Sequence, residues 1–90
     1  MKTFHLTVST PNGHAFDGDA VFLSLRGTAG DLAVMAGHVP FVTTVLPCDC
    51  KIGLDDDTDR IGHVESGLLT VSATAVTLLT GEFHFISDNE

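Results

Sequence analysis

A chain of 90 residues, 43% hydrophobic and 18% charged, is the size and composition of one small globular domain, because domains commonly run to about 100–150 residues and a disordered chain would be far less apolar. The formal charge of -8 with only four Lys and Arg excludes nucleic acid as a partner, since few phosphates could be neutralised, and disfavours direct adsorption to anionic lipid. No apolar run approaches the roughly 20 residues that span a bilayer, and the Met-Lys-Thr-Phe start has no signal-peptide core, so the chain reads as cytoplasmic, with any membrane association made through a protein and no direct insertion.

Glycine or proline interrupts most windows before ten residues have passed, which leaves little room for a helix. In chain order, Phe4, Leu6 and Val8 alternate with His5, Thr7 and Ser9, the period of a strand with one buried face. Strands are predicted at 3–9, 13–17, 20–26, 32–35, 41–46, 48–53, 60–64, 67–72, 75–80 and 82–86. Val21, Leu23 and Leu25 carry the third, with Phe22 spoiling the contrast. The longest uninterrupted window, 68–80, is rich in Thr and Val, and its Val76, Thr77, Leu78 alternation favours strand over helix. Phe83 and Phe85 alternate with Glu82 and His84. Close-set short strands with Gly or Pro turns predict an all-β fold: a two-sheet antiparallel β-sandwich, or flattened barrel, forming a single domain over 1–90. Trp and Tyr are absent, so the six Phe are expected to supply the aromatic bulk of the core.

Chemical motifs are weak. Asp55, Asp57 and Asp59 match the first three ligand positions of a calcium loop, but Arg60 stands where its turn needs Gly and Ser66 where it needs Glu. A solvated hairpin tip is the better reading, and no metal or cofactor is predicted. Cys48 and Cys50, two residues apart on a strand, share a face at a spacing that strains a mutual disulfide, and no second ligand pair suggests zinc. Gly27-Thr28-Ala29-Gly30 is followed by Asp31 and a strand, unlike a phosphate loop. None of the Ser, Cys or His sits in a recognisable nucleophile motif, so no catalytic residue is assigned.

The stretch Gly30-Asp31-Leu32-Ala33-Val34-Met35-Ala36-Gly37-His38-Val39-Pro40-Phe41-Val42-Thr43 resembles the signature of F-type ATP synthase epsilon subunits (delta in mitochondria), through its Gly-Asp-Leu opening and its Gly-His-x-Pro turn. Phe4-His5-Leu6-x-Val8, Phe16-x-Gly18, Glu65-Ser66-Gly67-Leu68-Leu69-x-Val71 and Val76-Thr77-Leu78-Leu79 are similar to further family segments in the same order, so the likeness covers nearly the whole chain. Ala33, Ala36 and Ser66 depart from the family's usual Gly, Pro and Gly. Ten residues follow Thr80, against the roughly two dozen that a packed pair of helices needs. The expectation is therefore the family's N-terminal β-sandwich without its C-terminal helical hairpin and, if residue 90 is the natural end, a synthase lacking inhibition by that hairpin.

The resemblance implies a non-catalytic central-stalk subunit that links the gamma subunit to the membrane c-ring, acts on the alpha/beta catalytic head indirectly, and lies peripherally on the cytoplasmic side of the inner membrane. It assigns Asp31, Gly37, His38, Val39 and Pro40 to the c-ring contact, with Asp31 and His38 exposed at one shared end of the sandwich. It assigns Ser9, Thr10, Val42 and Thr43 to the gamma contact. Two other functions compete: a free-standing β-sandwich that binds a protein or ligand through its loops, and an enzyme using His38 with Asp31 as an acid–base pair.

Overall fold

A computed structural model describes residues 2–37, 39–55 and 58–88. Ten strands follow one another: β1 (Phe4–Thr10), β2 (Gly13–Ala20), β3 (Phe22–Gly27), β4 (Gly30–Met35), β5 (Phe41–Val45), β6 (Cys48–Gly53), β7 (Asp59–Val64), β8 (Gly67–Val71), β9 (Ala75–Thr80) and β10 (Phe83–Asp88). Every predicted strand has its counterpart. The clearest boundary difference is β2, which continues through Gly18 to Ala20 because it pairs along the whole of β1, from Phe4 with Ala20 to Thr10 with Gly13. A register shift between Val8 and Ser9 absorbs the extra residue, as a β-bulge does.

The strands hydrogen-bond in the order β10-β7-β6-β3-β5-β8-β9-β1-β2, with β4 paired to β3. Strands β3 and β5 share a single registered pair, Gly27 with Val45, and the ladder turns there from one layer of the sandwich to the other. At the far margins Phe16 of β2 and Phe85 of β10 meet edge to face, with ring centroids 6.4 Å apart. One pairing is not antiparallel. Strands β1 and β9 run parallel, Leu6 beside Val76 and Val8 beside Leu78, a pairing between distant segments that needs a long crossover.

The core is aliphatic. Leu6, Val8, Leu23, Val34, Val45, Ile52, Val64, Leu69, Val76 and Leu78 are all essentially inaccessible, and Phe4 is the one phenylalanine among the buried residues. Phe16, Phe41, Phe83 and Phe85 pack half-buried around that core, which corrects the expectation that Phe fills it. The rings serve the margins instead: Phe22 lies over Gly53 and Phe83 over Gly62, where a Cβ would run into the ring. Aromatic cover of a neighbouring strand's glycine restores packing that the missing side chain leaves out.

Candidate functional site

The β3–β4 hairpin places Asp31. Gly27 pairs with Gly30 across a two-residue loop, and Gly30 closes it at φ 122°, a region that L side chains avoid. The next pair in register is Arg26 with Asp31. Arg26 Nε–H donates to Asp31 Oδ1 at 2.8 Å, with both side chains largely exposed. That bond also raises the Arg26 pKa further. Arg26 and Asp31 line an open groove with Ser24, Pro47, Cys48 and Asp49, so the carboxylate is displayed at the surface while held by its neighbour.

Gly37, Val39 and Pro40 lie beyond the other end of β4. Gly37 turns the chain at φ 84°, Val39 is 74% exposed, and Pro40 is exposed. His38 lies outside the described residues. The shared end expected of Asp31 and His38 involves a residue outside the described ones, but the β4 ladder separates Asp31 from Gly37. It runs unbroken from Gly30 opposite Gly27 to Met35 opposite Phe22, so Asp31 and Met35 stand about 13 Å apart at 3.3 Å per residue. What the two groups do share is an edge, since β4 pairs with β3 alone in the described ladder.

The other set divides by sheet face. Val42 is 61% exposed, whereas Thr43 has the parity of half-buried Phe41 and buried Val45 and sits against Gly27. Thr43 therefore lies on the core side, and Val42 is outward. Ser9 shares the outward face with Val42, while Thr10 lines a shallow groove with Ser9, Pro11 and Leu79. Register extends this face across four strands. Thr44 pairs with Leu68 and Val42 with Thr70; Leu68 then pairs with Leu79 and Thr70 with Thr77; Leu79 lies beside Ser9 and Thr77 beside Thr7. Strands β5, β8 and β9 contain no charged residue at all, and Leu68 and Leu79 are 41% and 48% exposed. Charge resumes at the β1–β2 ladder, where Asp17 and Asp19 stand 2.6 and 3.6 Å from His5. Sequence reasoning passed over Leu68, Thr70, Thr77 and Leu79. The signal it could have used was the run of uncharged strands with more apolar residues than one buried face can take.

Other polar groups are held locally. Thr58 N–H donates to the Asp55 carboxylate at the β6–β7 turn, while Asp56 and Asp57 lie outside the described residues. Among the described residues no group of three or more His, Cys, Asp or Glu is placed to hold a metal ion. Both cysteines are free. Burial and the neighbouring Cys48 push the Cys50 thiol up to about 12, whereas Cys48 is only half-buried and accepts the Arg26 backbone N–H. Because the thiolate is the nucleophile, iodoacetamide at about pH 8 is expected to alkylate Cys48 at least ~10-fold faster than Cys50 in the folded chain. Fragment mass spectrometry of the labelled peptide checks this, and equal rates would mean that β6 opens locally.

The fold and its surfaces can be set beside known proteins. Residues 3–85 match the family model described as the ATP synthase, Delta/Epsilon chain, beta-sandwich domain. The chain belongs to this family. An ATP synthase epsilon chain from Polaromonas naphthalenivorans is 35% identical over 80 residues, which make up 89% of this chain and 58% of that protein. The delta/epsilon sandwich thus spans little more than half of that curated relative. A chain in the structure of the Euglena gracilis mitochondrial ATP synthase (OSCP, F1 and c-ring) superposes with a TM-score of 0.86 at 18% identity, covering 92% of this chain and 53% of that one. A chain of the Tetrahymena thermophila mitochondrial ATP synthase central stalk and c-ring gives 0.77 at 9% identity, covering 92% and 66%. At such low identities these two likenesses speak for the delta/epsilon fold alone.

Proposed function

We propose that this delta/epsilon sandwich is a non-catalytic central-stalk part of a proton-translocating ATP synthase, on the cytoplasmic side of the inner membrane, joining the gamma subunit to the c-ring. The observation that carries the reading is the charge-free outer face of β5, β8 and β9. In a chain with a formal charge of -8, an uncharged patch of Val, Leu and Thr is the composition of an interface core, where charge is depleted. We assign this face to gamma, with Ser9, Thr10 and Val42 on or beside it and Leu68 and Leu79 at its centre. Thr43 reaches it only through the backbone. Asp31, Gly37, His38, Val39 and Pro40 are assigned to the ring, an arrangement that takes in Asp31 at one end of the β4 edge and Gly37, Val39 and Pro40 beyond the other. The mechanism is mechanical: a close-packed sandwich transmits torque with little deformation, and chemistry belongs to the catalytic head.

Leu68→Asp combined with Leu79→Asp is expected to weaken co-purification with gamma by ~30-fold or more, since buried interface anchors commonly contribute about 2 kcal/mol. The isolated variant should keep its sheet circular dichroism, because both side chains are on the solvent side. Undiminished gamma capture by a folded variant would overturn the assignment. Asp31→Ala with His38→Ala is the parallel test of the ring edge, expected to lower ATP synthesis more than hydrolysis.

A further inference from the structure

His63 makes two contacts that one neutral imidazole cannot satisfy together. Its Nδ1 stands 3.0 Å from Asp49 Oδ1 and its Nε2 2.9 Å from Glu65 Oε2. Ionised carboxylates only accept, and a neutral imidazole carries a single N–H. Both bonds therefore coexist only when the ring holds two protons.

The three residues come from different places in the ladder. Asp49 faces His63 in register from β6. Glu65 follows β7 in the short link to β8, the segment that carries the chain from one layer of the sandwich to the other, and its backbone N–H donates to Glu82 O at 3.2 Å. From β10, His84 faces His63 in register, with ring centroids 5.6 Å apart and planes tilted by 38°. Lys51, the nearest cation on β6, is turned to Asp59 at 3.4 Å and does not compete for the two carboxylates.

We propose that His63 is a proton-operated latch that, when doubly protonated, ties β6 and the β7–β8 crossover together through Asp49 and Glu65, and releases one of them when it loses a proton. Loss of the proton leaves a lone pair aimed at a carboxylate oxygen about 3 Å away, which is repulsive, so one side chain swings free. Because Asp49 also lines the groove with Arg26 and Asp31, the latch sets the charge of the surface beside that pair. The two carboxylates, Asp49 foremost, raise the His63 pKa above its ordinary value of 6.5. A folded-state value above the unfolded one stabilises the fold fully below the unfolded value, and this contribution is lost as pH rises through the folded value.

Imidazole 15N shifts of the 90-residue chain, followed from about pH 6 to about pH 9, test the latch directly. His63 is expected to stay doubly protonated past pH 6.5, and Asp49→Asn or Glu65→Gln, both exposed and near-isosteric, should each bring its midpoint down towards 6.5. The Tm gap between wild type and His63→Gln should be widest near pH 6 and close towards pH 9. A His63 midpoint at or below 6.5, or a Tm gap that does not change with pH, would overturn the proposal. The 15N measurement on the wild-type chain decides the matter even if His63→Gln fails to fold.

Discussion

Gly67→Ala is expected to destabilise the chain by about 3 kcal/mol or more, with the Tm falling by ~10 °C or beyond. Gly67 opens β8 between Val45 of β5 and Thr80 of β9. A Cβ there would stand closer than 3.0 Å to the Leu79 carbonyl oxygen. The obstacle is backbone, and it cannot rotate away as the tip of a side chain could. Relief requires β8 and β9 to part, and their separation is held by five registered pairs from Gly67–Thr80 to Val71–Val76. Thr80, buried beside the clash, has its hydroxyl between Ser66 O and Glu82 O, so parting the strands also removes one of its two acceptors. A 90-residue domain has a total stability of about 5–13 kcal/mol, and 3 kcal/mol is a large share of it. Gly81→Ala is the control. A Cβ at Gly81 meets nothing within 4 Å, so a loss under about 0.5 kcal/mol is expected. Urea denaturation of both variants checks the pair, and equal losses would show that the close approach at Gly67 is not what holds it as glycine.

Leu6→Ala is expected to cost about 2–5 kcal/mol. Leu6 is fully buried in β1, the one strand bonded in parallel to β9 and antiparallel to β2, opposite Val76 and Gly18. Collapse around the truncated side chain is limited because neither flanking partner can follow it inward without leaving its ladder, so the site should lie towards the upper part of that range. Thr7→Ala, next along the strand on the solvent side, should change stability by under about 0.5 kcal/mol. Denaturant midpoints with unchanged slopes would confirm a loss of stability alone. A mild loss at Leu6 would mean that β1 and β2 can detach as a unit, leaving the other strands folded.

Strand existence was legible in the residues. The alternation of Phe4, Leu6 and Val8 and of Val76 and Leu78 depends only on the two-residue period of an extended chain, and Gly and Pro end strands through local backbone geometry. The Gly-Asp-Leu and Gly-His-x-Pro segments likewise sufficed to point to the family. Which face, which end and which neighbour each strand has are non-local, and pairing alone decided them. Nothing near Val42 and Thr43 tells which of them points outward; that follows from Val45 meeting Gly27 and Gly67 across two ladders. The predicted 32–35 strand separates Asp31 from Gly37, and only β4 laid out along β3 shows them at opposite ends of one edge. The core is aliphatic with five of the six Phe outside the buried set, and strand pairing alone sets Phe22 and Phe83 over Gly53 and Gly62. The contacts of His63 with Asp49 and His84 join residues that are remote until β6, β7 and β10 lie in register. Periodicity belongs to the chain, but the surfaces that dock and titrate are made by register between segments tens of residues apart.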